Sequence, residues 1–109
     1  MYPSDISGGM KKRIGIARAI SIKPKYILYD EPTTGLDPIN TDKIIKLMKN
    51  VQKNDKVTSI VVTHEMKIVN EMVNKVIMLF DGKIIFDGTP KELNSSNDKY
   101  IKYFTLGRN

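Results

Sequence analysis

Apolar residues recur along the chain in two alternating rhythms. Met10, Ile14, Ala17 and Ile20 fall at helical spacing, with Lys11, Lys12, Arg13 and Arg18 between them, and Lys23-Pro24 supplies a stop. Tyr26-Ile27-Leu28-Tyr29 is an unbroken apolar run that halts at Asp30-Glu31-Pro32, the pattern of a buried strand. Asp37-Pro38 predicts a helix start, with Asp as cap and Pro at the first helical position; Ile44, Ile45, Leu47, Met48 and Val51 give that helix an apolar face. A second buried strand is predicted over residues 58–63, ending at His64, and a short helix over 67–74. Two apolar runs, 75–80 and 83–86, flank the pair Asp81-Gly82, a strong hairpin signal. Thr89-Pro90-Lys91-Glu92 has the form of a capping box, residues 94–98 read as a polar loop, and 100–104 as a short amphipathic helix.

Strands alternating with helices predict an α/β fold with a mainly parallel sheet that ends in a hairpin. Such sheets bind ligands beyond the carboxyl ends of their strands. Asp30, Glu31 and His64 all fall at strand ends of that kind.

Composition narrows the class. With 109 residues the chain suits one domain, and no apolar run approaches the length of about 18 residues needed to cross a membrane. Its first residues lack the basic and apolar segments of a secretory signal. Cysteine is absent, which excludes a disulfide framework. The net charge of +6 comes from lysines scattered along helix faces and not interleaved with aromatics, so no nucleic-acid partner is expected.

Four constellations carry candidate chemistry. Ser7-Gly8-Gly9 opens a helix, where free N–H groups, a hydroxyl and the absence of Cβ atoms suit a phosphate; taken alone it reads first as an ordinary cap. A buried strand that ends in Asp30-Glu31 needs partners for its charges: Asp30 suits a hydrated Mg²⁺, Glu31 suits polarisation of a water, and a solvated surface turn is the alternative. Residues 33–38, alone, make a turn and a capped helix. His64, the one histidine, suits a hydrogen bond to a terminal phosphate or a structural role.

Taken together, in this order and on these elements, the four resemble the ATP-binding-cassette (ABC) ATPases over nearly the whole chain. Ile6-Ser7-Gly8-Gly9-Met10 resembles that family's signature loop, with Ile6 and Met10 in place of the usual Leu and Gln. Residues 26–31 resemble its Walker B strand with the catalytic Glu, Thr34-Gly35-Leu36-Asp37 its D-loop, and His64 its switch histidine. Tyr2-Pro3-Ser4, Met10-Lys11-Lys12-Arg13 and residues 31–39, 62–67 and 87–90 further resemble the branch that moves phospholipids with an MCE-type lipid-binding protein.

The resemblance implies that residues 1–109 are the C-terminal part of a single ABC ATPase domain, a partial three-layer P-loop NTPase sandwich. No GxxxxGK[ST] occurs, so the Walker A loop and Q-loop are expected upstream of Met1. The absent Walker A strand is expected to lie between the His64 strand and the 76–80 strand. Exposed apolar faces, instability and no activity in isolation are the expected consequences. The implied ligands are ATP and Mg²⁺. Asp30, Glu31 and His64 would serve the subunit's own ATP, Ser7, Gly8 and Gly9 the ATP of the opposite subunit of a homodimer, and Asp37 the coupling between them. A transmembrane permease, an MCE-type protein and a place on the cytoplasmic face of the cell membrane complete the implied setting. A non-catalytic module that binds a permease or an intact ATPase, and a soluble ABC protein acting on DNA or ribosomes, are the competing readings.

Overall fold

The computed structural model describes residues 8–106; Ser7, Ile6 and the Tyr2-Pro3-Ser4 segment lie outside the described residues. The chain divides into two compact units, residues 1–64 and 65–109.

The first unit holds helix α1 (Gly8–Ser21), strand β1 (Tyr26–Asp30), helix α2 (Pro38–Asp55) and strand β2 (Thr58–Val62). β1 and β2 pair in parallel, with Tyr26 opposite Thr58 and Asp30 opposite Val62. The connection through α2 is what a parallel pair requires, since a short turn cannot return the chain to the same edge. α2 starts where Asp37 caps it and ends at Lys56, which takes the left-handed conformation with φ 50°. Its inward stripe of Thr41, Ile44, Ile45, Met48 and Val51 follows the helical period, and Ile16, Ile27, Tyr29 and Val57 are also buried.

Both strands of this unit were expected to be buried throughout, and they are not. Ile27 and Tyr29 are buried, while Tyr26 and Leu28 are 74% and 67% exposed. On β2, Ile60 and Val62 lie on that same open face at 64% and 50%. Side chains alternate across a strand, and one face of the pair has no covering element among the described residues of the unit. The unbroken apolar run therefore marks strands with two faces to cover, of which one is covered here.

The second unit holds helix α3 (Met66–Met72), strands β3 (Val76–Phe80) and β4 (Lys83–Gly88), and helices α4 (Pro90–Asn94) and α5 (Lys99–Thr105). α3 begins and ends earlier than the 67–74 span predicted, because the Glu65 side chain accepts from Lys67 N–H as a cap and Val73 is already extended. β3 and β4 form the predicted antiparallel hairpin, with a bulge after Met78. Asp81 and Gly82 both have positive φ, 51° and 73°, which a type I′ turn demands. The Thr89–Glu92 capping box forms in full, and Asp98 caps α5. Val69, Met78, Leu93 and Ile101 make the core of this unit, with Met66, Val73, Val76, Phe86 and Phe104 packed around them.

Among the described residues there are thus one parallel pair and one antiparallel hairpin in two separate sheets, in keeping with the partial α/β fold and terminal hairpin expected. No helix among the described residues is long and apolar enough to cross a membrane.

Candidate functional site

The parallel register brings Glu31 and His64 out of the sheet side by side. Asp30 pairs with Val62, and the ladder runs one bond further as Glu31 N–H donates to the Val62 carbonyl at 2.7 Å. His64 follows two residues beyond Val62, and its Nδ1 lies 3.1 Å from Glu31 Oε2 and 3.4 Å from Oε1. Both side chains are open to solvent, 67% for His64 and 40% for Glu31, so the pairing adds only about 0–1 kcal/mol to stability. Its consequence is orientation.

Glu31 itself sits in an uncommon backbone state. Its φ is 49°, in the left-handed region, and the next residue is Pro32. A non-glycine residue there, immediately before proline, costs about 1–3 kcal/mol unless its surroundings hold it. Four bonds do so. Beyond the N–H bond to Val62, the Glu31 carbonyl accepts from Lys12 Nζ at 3.0 Å and from Thr34 N–H at 3.4 Å. The Thr34 hydroxyl donates to Glu31 Oε2 at 2.9 Å. Pro32 and Thr33 are buried beneath the turn.

The next turn joins α2 to the start of α1. Asp37 grips Asn40 with both oxygens: Oδ1 accepts from its backbone N–H at 2.8 Å and Oδ2 from its side-chain amide at 3.0 Å. Those bonds, the backbone one foremost, hold the Asp37 carboxyl below its ordinary value. The Asn40 side chain in turn lies against Gly9, where a Cβ would come within 2.9 Å of Asn40 Oδ1. At Gly8 a Cβ would stand 3.1 Å from Leu36 Cδ2. A side chain at Gly9 would therefore force the Asn40 side chain to shift, while one at Gly8 would press on Leu36.

Asp30 was read as one of two acids at a buried strand end, but it lies exposed on the open face of the sheet, on the side of Leu28 and Val62. An exposed carboxylate is suited to Mg²⁺, which keeps most of its waters and is held by one or two carboxylates and the substrate's phosphates. The described residues contain no group of three acids, histidines or cysteines that would cage a metal on their own. One carboxylate and a hydrated ion fit that donor set.

Of the residues singled out in the sequence, Asp30, Glu31 and His64 cluster at the strand ends, Gly8, Gly9 and Asp37 meet through Leu36 and Asn40, and Ser7 lies outside the described residues. Three participants escaped sequence reasoning. Lys12 was grouped with the solvated lysines, Thr34 was given no role of its own, and Asn40 was not singled out. Only Asn40 carried a local signal, standing three residues after a helix-capping Asp.

Known proteins resemble this chain in sequence and in fold. A family model described as ABC transporter matches residues 1–34. The chain is 40% identical over 104 residues to the methionine import ATP-binding protein MetN 1 of Oceanobacillus iheyensis, covering 94% of this chain and 31% of that protein. It is 42% identical over 106 residues to the probable amino-acid import ATP-binding protein YxeO of Bacillus subtilis, covering 93% of this chain and 42% of that one. In fold it matches a dimeric, post-hydrolysis structure of the ATP-binding cassette MJ0796 bound to ADP and Pi, with TM-score 0.67 and 35% identity over 81% of this chain and 38% of the other. The chain thus spans between about a third and two-fifths of the length of these relatives. In sequence and in fold the chain is similar to a part of these ATP-binding proteins.

Proposed function

We propose that this stretch supplies the catalytic carboxylate and the signature helix of an ATPase subunit that powers import of a small solute. The observation that carries the reading is the meeting of Glu31 and His64 at the carboxyl ends of two parallel strands, with the carboxylate already oriented by Thr34. In the reaction a water oxygen bonds to the terminal phosphorus of ATP, its proton moves toward Glu31, and the bond to the ADP oxygen breaks. His64, which lies against both Glu31 oxygens, would hydrogen-bond the terminal phosphate and orient the water. Asp30 would hold Mg²⁺ through its water; when bound, the ion offsets phosphate charge. Ser7, Gly8 and Gly9 would face the ATP of a second subunit and Asp37 would work across that interface, with a permease as the further partner and the cytoplasmic membrane face as the setting.

The named relatives are importers of methionine and of amino acids. They favour amino acids as the transported class. The phospholipid reading suggested by Tyr2-Pro3-Ser4 and Met10 draws no support from them, and the MCE-type partner falls with it. A purely structural module would not need Glu31 held in a strained, pre-oriented state. In the complete subunit that carries this stretch, Glu31→Gln should lower steady-state ATP hydrolysis by roughly 100-fold or more while ATP binding persists. Turnover near the wild-type rate would remove Glu31 from the chemistry. Amino-acid uptake unchanged in cells lacking the subunit, with impaired lipid movement, would restore the phospholipid reading.

A further inference from the structure

We propose that Lys12 is a positioning residue for Glu31, tying the first turns of α1 to the backbone of the carboxylate. This rests on the ATPase reading above and extends it. Three of the bonds on Glu31 come from its own turn or from the neighbouring strand; the Lys12 ammonium is the one that arrives from another helix, 19 residues earlier. It is part-buried, and a charged donor on a sheltered carbonyl makes a stronger bond than an exposed pair does. Lys12 lines a groove with Ile16 and Pro32, and its head reaches the carbonyl from there.

The position of Lys12 on α1 gives the bond its meaning. It lies three and four residues after Gly9 and Gly8, on the same side of the helix. The helix start is itself wedged, with Gly8 against Leu36 and Gly9 against Asn40. A displacement of that start, such as a phosphate at Gly8-Gly9 would impose, is therefore passed by a short path, one helical turn and one side chain, to the Glu31 carbonyl. The residue at the end of that path has a left-handed φ before a proline, so its carboxylate direction depends on what holds the peptide. Lys12 thereby makes the aim of one site's carboxylate sensitive to the seating of the helix that serves the other.

The test uses the complete subunit with Lys12→Met, Lys12→Gln and Lys12→Arg. Lys12→Met keeps the stem and removes the donor; kcat should fall roughly 10- to 100-fold, the scale of a small misplacement of a reacting group, with KM for ATP and thermal stability unchanged. Lys12→Arg keeps a charged N–H donor and should recover most of kcat; Lys12→Gln keeps a neutral donor on a shorter stem and should recover less. Full kcat in Lys12→Met, measured where Glu31→Gln is inactive, overturns this inference alone. So does an Arg variant as impaired as Met, which would separate the loss from the charged donor, or a fall in Tm and a rise in KM alongside kcat, which would make the role structural. Full turnover in Glu31→Gln removes both this inference and the reading beneath it.

Discussion

The two strand pairs of this chain are built in opposite ways. β3 and β4 are joined by two residues, and everything that fixes them is local: an Asp-Gly turn with both φ positive, a capping box that begins two residues after Asp87, and an Asp98 cap. β1 and β2 are joined through the 18 residues of α2, and what fixes them is distant: the parallel ladder, the α2 stripe and the bond from Lys12. The local pair carries no candidate chemistry. The distant pair carries the two acids and the histidine, because a parallel register ends two strands at one level and so brings side chains 33 residues apart within 3.1 Å. Long-range construction is what makes a site possible here, and it leaves each strand with a second apolar face that local structure does not cover.

The sharpest way to break this contrast is to hollow out each interior in turn. Met48 of α2 is fully buried and Leu93 of α4 is 2% exposed. Either residue replaced by Ala should cost about 2–5 kcal/mol, from lost transfer energy and the cavity left behind. Hydrogen exchange locates the damage: Met48→Ala should deprotect the amides of β1 and β2, and Leu93→Ala those of β3 and β4. If the hairpin amides stay protected in Leu93→Ala, the turn alone holds the hairpin, and its packing against α4 and α5 contributes little.

The same contrast explains what the sequence made legible. The hairpin, the Thr89 box and the Asp37 cap could be read because each is decided within a few residues by φ, by a missing N–H or by a side-chain oxygen at fixed spacing. The helix 66–72 was placed slightly late because Glu65, a less usual cap than Ser, Thr, Asp or Asn, starts it. Burial of β1 was misjudged: the run Tyr26 to Tyr29 shows that two faces want cover, but whether cover is present is a tertiary fact. The residue types at the site could be read, since two acids and a histidine at strand ends are chemically conspicuous. Their support could not. Lys12 looks like any solvated lysine until its partner, 19 residues on, is known, and nothing in Glu31-Pro32 announces a positive φ.

Glycine substitutions sharpen the contrast at smaller scale. Gly82 has φ 73° in the hairpin turn, where a Cβ meets no neighbour but does meet its own backbone. Gly82→Ala should cost about 1–2 kcal/mol. Gly15 lies inside α1, with nothing within 4 Å of an added Cβ and no unusual φ. Gly15→Ala should instead raise stability by about 0.5–1 kcal/mol through helix propensity. Urea midpoints of the two variants should therefore move in opposite directions. A loss at Gly15 would show that the groove beside α1, which Gly15 lines with Ile27 and Leu28, is already filled.

The smallest effect is a pH dependence, and here the two units behave alike. The Asp37 carboxyl is held below its ordinary 3.8, chiefly by the backbone N–H of Asn40. That of Glu92 is held below its ordinary 4.5, chiefly by the backbone N–H of Thr89. Each group is a stronger acid folded than unfolded, so the unfolded chain takes up its proton first as pH falls. The stabilisation is therefore complete above the ordinary values and is lost as pH drops through the lower, folded ones. Asp37→Asn keeps an acceptor for the α2 cap and removes the titration; Glu92→Gln does the same for the capping box. Urea midpoints followed from about pH 5 to about pH 2 should fall less steeply in either variant than in the parent, and least steeply in the double variant. Because both shifts come mainly from hydrogen bonds and not from neighbouring charges, added salt should leave the difference between parent and variant in place. A difference that vanishes in salt would mean that Lys43, the weakest of the contributors at Asp37, is the one that matters there.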